Sequence, residues 1–239
     1  MRGAGVVQVT QPARGHRFTL DSILLADFCH VRSKERVLEL GAGTGIISLL
    51  LAKKHSRSSF TAAEVQSSLT GLFERNISEN SLDGRITVLT QDLQNLKGAL
   101  APGLFHVIVA NPPYTKEGTG RISPLAARRT ARLDRSASLE SWLEQQYFLT
   151  NKGRYCMVFP ASRMAELLSR MRESKLEPKR LRLVHPCMHK PASLVLVEAV
   201  KSGGTGLQVL SPLILHGPGG SYTEEVKEIY DYTINFSAR

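Results

Sequence analysis

Short apolar runs alternate along this chain with stretches whose apolar residues recur three or four positions apart. The runs at 36–40, 59–63, 86–90, 105–110 and 153–159 predict strands. In the fourth of these, Val107, Ile108, Val109 and Ala110 leave no polar face, as in a parallel strand buried on both sides. The helical spacing begins with Ile23, Leu24, Leu25 and Phe28 behind Asp21, placed as the helix cap. It returns over 46–53, and over 67–79 with Leu69, Leu72, Phe73 and Ile77. It returns again over 139–149 with Trp142, Leu143, Tyr147 and Phe148, and over 164–175. Strands and helices in alternation predict an α/β fold around a parallel sheet. Residues 6–9 predict a short edge strand. Near the end, 179–185 and 192–200 predict an antiparallel pair joined by a turn at 186–190. An extended run at 207–216, a turn at 217–220 and a helix capped by Thr223 follow. Neither a repeat nor an interdomain linker breaks this order, so a single domain is expected: an N-terminal cover (1–35), a core (36–200) and a C-terminal extension (201–239).

Composition narrows the class. Of the 239 residues, 42% are hydrophobic and 22% charged, which suits a globular domain with a full core. A net charge of +10 favours a polyanion such as nucleic acid as partner over a merely solvated basic surface. Cys29, Cys156 and Cys187 share no Cys-x-x-Cys spacing, as expected of reduced thiols in the cytoplasm. The first ten residues lack the apolar centre of a signal peptide, and the run at 46–52 is far too short for a bilayer. A soluble cytoplasmic protein is expected. His185, Cys187 and His189 alternate on a turn, a poor tetrahedral set, and no metal is expected.

The candidate chemistry gathers where strands stop. Two prolines end the run at 105–110, in Asn111-Pro112-Pro113-Tyr114. Neither has an N–H, and a residue before proline is pushed towards extended backbone, so the tip is stiff. The Asn111 side-chain carbonyl and the Pro112 backbone carbonyl can accept both hydrogens of a planar amino group, while Tyr114 offers a stacking face. A tight surface turn is the plainer alternative. Gly41-Ala42-Gly43-Thr44-Gly45 follows the first strand and lets a ligand approach the backbone. Ile46 stands where a nicotinamide fingerprint wants glycine or alanine. Glu64, at the end of the second strand, can accept ribose hydroxyls. Arg17, Phe18 and Asp21 either belong to a helix covering the core or form a lid near the cofactor. Residues 116–135 carry Lys116, Arg121, Arg128, Arg129, Arg132 and Arg135 against Glu117 and Asp134, as in a basic binding segment beside the tip.

Together, the 15–21 segment Gly-His-Arg-Phe-Thr-Leu-Asp, the glycine turn with Glu39 ahead of it, Asn111-Pro112-Pro113-Tyr114, Thr130-Ala131-Arg132 and the 215–223 segment Leu-His-Gly-Pro-Gly-Gly-Ser-Tyr-Thr resemble the bacterial tRNA1(Val) adenine-37 N6-methyltransferase family. Leu133 stands where that family has histidine. The resemblance implies a Rossmann-like class I methyltransferase with a seven-stranded, mostly parallel sheet, one antiparallel strand and helices on both faces. It implies S-adenosylmethionine as cofactor, leaving as S-adenosylhomocysteine. Arg17, Asp21, Glu39, Gly41, Gly43, Gly45, Glu64 and Asp92 are then expected at the cofactor, Glu39 near its methionine part and Asp92 at its adenine. Asn111, Pro112, Pro113 and Tyr114 are expected at the reacting base, and Lys116, Arg128, Arg129 and Arg132 on the RNA. Three other functions share parts of the pattern: glutamine N5-methylation of a protein, guanine N2-methylation of ribosomal RNA, and cofactor or RNA binding without turnover.

Overall fold

The computed structural model describes residues 7–12, 19–113 and 138–231. Its strands are β1 (Arg36–Leu40), β2 (Ser59–Glu64), β3 (Ile86–Thr90), β4 (Phe105–Ala110), β5 (Leu149–Pro160), β6 (Leu176–Cys187), β7 (Leu194–Lys201), β8 (Gln208–Val209) and β9 (Leu213–His216). Its helices are α1 (Leu20–Phe28), α2 (Ile46–Lys54), α3 (Ser67–Glu79), α4 (Leu139–Glu144), α5 (Met164–Glu173) and α6 (Glu224–Asp231). The strands form one sheet in the order β3-β2-β1-β4-β5-β7-β6-β8, with β9 also paired to β6. β3, β2, β1, β4 and β5 are parallel, and β7 runs antiparallel between β5 and β6.

Strand alternation sorts the core into two layers. Val37, Val107 and Val109 pack with Leu24, Leu49 and Phe73 from α1, α2 and α3. Leu38, Leu40, Ile108 and Ala110 point the other way, into a layer with Leu143, Leu167 and Met171 from α4 and α5. No face of β1 or β4 is left for water beyond Arg36 and His106, which explains why these strands read as continuous apolar runs. The connections through α2 and α3 lead outward from β1 to β2 and β3, and β4 then pairs on the opposite side of β1. Between the carboxyl ends of β1 and β4 lies the point where the winding reverses, the usual ligand crevice of such sheets.

The sheet has nine strands rather than seven, because the extended run near the end splits into β8 and β9 and adds both beside β6. Helix α1 starts two residues earlier than Asp21 requires as a cap. Thr19 is its N-cap, with extended backbone, and Asp21 falls in the first turn. Leu20 packs against the core and draws the helix start forward, while an acid in the first turn still suits the helix dipole. Residues 7–10 form no named strand. Asn76 of α3 and Asn80 at its C-cap hold them by pairing with both the N–H and C=O of Thr10 and of Gln8, respectively. The helix expected over 139–149 changes to a 3-10 turn at Gln145–Phe148, which turns Tyr147 out of the buried stripe. Thr223 accepts from Val226 N at 3.4 Å, as the expected cap of the last helix.

Candidate active site

The glycine turn after β1 has three glycines with φ of +63°, +58° and +85° at Gly41, Gly43 and Gly45. All three backbones are left-handed, where other residues are strained. Their surroundings differ. A Cβ on Gly45 would lie 1.9 Å from Phe73 Cε2, inside the ring of an α3 core residue. A Cβ on Gly41 would lie 2.6 Å from Trp142 Cη2. A Cβ on Gly43 would meet nothing within 4 Å. Gly41 and Gly45 therefore hold the turn against the two core layers, and Gly43 presents an open backbone to the crevice.

Two carboxylates brace this turn. Glu64, at the end of β2, is buried and accepts from Gly43 N and Gln66 N, both at 2.9 Å, one with each oxygen. A carboxylate accepts about four hydrogen bonds, so acceptor capacity remains at Glu64 after these two. Glu39 lies beneath the turn, 2% exposed, with one oxygen accepting from Ser48 N at 2.8 Å and from the Ser48 hydroxyl. Burial raises its pKa from 4.5 to about 7, against the lowering effect of the Ser48 bonds. Asp92, after β3, caps the short helix Leu93–Gly98 by accepting from Gln94 N at 2.9 Å.

The tip after β4 begins with half-buried Asn111, buried Pro112 and exposed Pro113. Asn111 Nδ2 donates to Ser22 Oγ of α1 at 2.9 Å. That bond ties the Asn111 amide to α1. The structure thus brings Gly41, Gly43, Gly45, Glu64 and Asn111 to the carboxyl edge of neighbouring strands. Asp92 follows β3 on the same edge, and the row from β3 to β4 spans roughly 14 Å at ordinary strand spacing. Asp21 lies in the first turn of α1, next to Ser22. Glu39 is engaged with α2 below the turn. Arg17, Tyr114, Lys116, Arg128, Arg129 and Arg132 lie outside the described residues.

Ser22 and Ser48 were missed in the sequence, although each carried a signal: a short hydroxyl residue inside an otherwise apolar buried helix. By sequence, the basic residues of 163–182 join those of 116–135 as expected contacts to RNA phosphates. In the structure most of them have protein partners. Arg163 pairs with Glu166, Arg170 with Glu140 and Glu173, and Arg172 with Glu177. Arg180 pairs with Glu198 and Arg182 with Glu225, while Lys179 donates to three backbone carbonyls. Near the expected non-site at the 186–190 turn, His185 Nδ1 lies 2.8 Å from Lys190 O. Among the described residues, no group of three or more metal-ligating side chains occurs, and no helix is long and apolar enough to cross a membrane.

Residues 16–130, just under half of the chain, carry a match to the family described as methyltransferase small domain. The chain is similar to proteins named tRNA1(Val) (adenine(37)-N6)-methyltransferase. It is 33% identical to that of Tolumonas auensis over 154 residues, covering 62% of this chain and 61% of the relative. It is 32% identical to that of Citrobacter koseri over 143 residues, covering 59% and 57%. It is 24% identical to that of Vibrio campbellii over 221 residues, covering 90% and 89%. The chain thus spans about three fifths of the length of the first two relatives. Among solved structures, a predicted O-methyltransferase from Agrobacterium tumefaciens superimposes with a TM-score of 0.72 at 22% identity, covering 90% of this chain and 98% of that one. A SAM-dependent methyltransferase from Aquifex aeolicus superimposes with a TM-score of 0.54 at 12% identity, covering 76% and 89%. The fold is that of the Rossmann-like methyltransferases.

Proposed function

We propose that the chain is an S-adenosylmethionine-dependent methyltransferase acting on the N6 amino group of adenine in RNA. The preferred substrate is tRNA, with adenine 37 of tRNA1(Val) as the specific target. The observation that carries this reading is one juxtaposition. An open glycine backbone at Gly43 and a rigid double acceptor at Asn111-Pro112 stand at the carboxyl ends of adjacent strands, β1 and β4. Similarity to the named tRNA methyltransferases supports the choice of substrate.

The residues present fit the cofactor. Gly43 leaves room for a ligand to lie against its backbone, and Glu64 is fixed beside it with lone pairs suited to a ribose diol. Asp92 stands one strand further along, in reach of an adenine amino group, and Glu39 lies below the methionine end. We assign Asp21 and Arg17 to the cofactor as well. When bound, S-adenosylmethionine supplies an electrophilic methyl group, and the protein contributes position and electrostatics.

The target adenine must leave its stack before its amino group can be reached. Tyr114 provides the face on which the extruded base stacks. Asn111 Oδ1 and the Pro112 carbonyl accept the two amino hydrogens, which draws the nitrogen lone pair out of conjugation with the ring and aims it. Holding nucleophile and electrophile in a near-attack arrangement of roughly 3 Å removes much of the entropic barrier. No strong base is required before attack, since the proton leaves after transfer. Lys116, Arg128, Arg129 and Arg132 hold the RNA by phosphates. We place the enzyme in the cytoplasm, as a single catalytic domain with covering N- and C-terminal segments.

The test is methylation of unmodified total tRNA with methyl-labelled cofactor, followed by digestion to nucleosides. N6-methyladenosine is expected. Label in N5-methylglutamine of a protein, in N2-methylguanosine, or nowhere would overturn the reading.

A further inference from the structure

We propose that Ser22 is a positioning residue for methyl transfer, anchoring the Asn111 amide at the catalytic tip; the proposal rests on the function given above. An asparagine amide is nearly symmetric in shape and opposite in chemistry at its two ends. Asn111 can serve as an acceptor only if Oδ1 faces the crevice. A serine hydroxyl can donate or accept, so a bond to Ser22 holds the amide in place at the tip, and that placement is what the acceptor role requires.

The anchor comes from outside the catalytic strand. Ser22 lies 89 positions away in the chain, and its Oγ accepts from Asn111 Nδ2 at 2.9 Å. Ser22 is 6% exposed, and Ile23, Leu24 and Leu25 beside it are fully packed into the core. The hydroxyl is therefore held by core packing and not by a loop. Asn111 is itself half-buried, so an Nδ2 without a partner would carry a desolvation cost. The same contact seats α1 against the catalytic tip, giving the N-terminal cover a chemical task beyond covering the core.

The experiment is single-turnover transfer to unmodified tRNA by the full chain, with cofactor affinity measured in parallel. Ser22→Ala is expected to slow transfer roughly three- to tenfold, the size of one net neutral hydrogen bond, with cofactor affinity unchanged. Ser22→Thr keeps the hydroxyl and should recover most of the rate. The decisive readout is a double-mutant cycle. In an Asn111→Ala background, Ser22→Ala should have no further effect, whereas a merely structural role would slow both backgrounds alike. If Ser22→Ala fails to fold, Ser22→Cys takes its place in the cycle. A wild-type rate for Ser22→Ala, or an equal loss in both backgrounds, would overturn the proposal while leaving the methyltransferase reading intact. A wild-type protein that transfers methyl to another amino group overturns the assigned substrate, and the cycle then tests Ser22 on that product. A wild type without any transfer sinks both.

Discussion

Replacing Glu39 by glutamine should remove one component from the pH dependence of stability. Glu39 is 2% exposed, and burial raises its pKa from 4.5 to about 7. The unfolded chain releases this proton near 4.5 and the folded chain near 7. Between those values the folded state holds more protons, so stability falls as pH rises; above about 7 the full loss persists, and below 4.5 it vanishes. At about 1.36 kcal/mol per pH unit, the displacement corresponds to roughly 3 kcal/mol. Glutamine keeps an oxygen for Ser48 N and the Ser48 hydroxyl but cannot ionise. Denaturant unfolding of both proteins from pH 4.5 to 8 measures the effect. The wild type should lose up to about 3 kcal/mol relative to Glu39→Gln across that range, with most of the change below pH 7. Parallel curves would refute the reasoning, because they would mean that Glu39 titrates alike in both states.

Gly45→Ala should destabilise by roughly 2–5 kcal/mol, since its Cβ would enter the Phe73 ring at a φ of +85°, and thermal unfolding would show it. Gly43→Ala should cost only about 1 kcal/mol of stability, at a φ of +58° in open space, yet weaken cofactor binding by calorimetry. Glu64→Gln should weaken cofactor binding roughly tenfold or more by losing a charge-assisted contact, with equal affinity counting against the ribose role. Asn111→Ala should slow single-turnover transfer on the order of a hundredfold with cofactor affinity retained, and a wild-type rate would remove it from the chemistry.

The parts of the fold legible in the sequence are those governed by local pattern. Apolar runs such as Val107-Ile108-Val109-Ala110 marked strands buried on both faces, and the antiparallel pair near the end showed in its spacing. Long-range polar pairing was not legible. Nothing in the local pattern around Asn76 and Asn80 shows that residues 7–10 lie beside them. The carboxylate partners of the arginines of 163–182 were not legible, because a sequence lists charges without their neighbours. Glu140, Glu177, Glu198 and Glu225 come beside them only after folding. At the candidate site, the glycine turn, Glu64 and the Asn111 tip could be named in advance because strand ends announce them. Ser22 could not, since its importance depends on the 2.9 Å approach of a residue 89 positions away.

The placement of the site follows from topology before it follows from any single side chain. The loop after β1 leads into α2 in one layer, while the next described helix after β4, α4, lies in the other layer. Strand ends whose continuations diverge to opposite faces leave a crevice between them. The Gly41–Gly45 turn and Asn111 must border that crevice, because each is the first thing that follows its strand. Two of the three glycines meet the two layers, Gly45 against Phe73 and Gly41 against Trp142. Core packing on both faces of the sheet thus sets the height of the turn, and Gly43 is left as the backbone that faces outward. The acceptor tip is set in the same way, by β4 from beneath and through Ser22 by α1 from the side. Preorganisation of the candidate site comes from the hydrophobic core itself, whose rigidity reaches it through one backbone turn and one hydrogen bond.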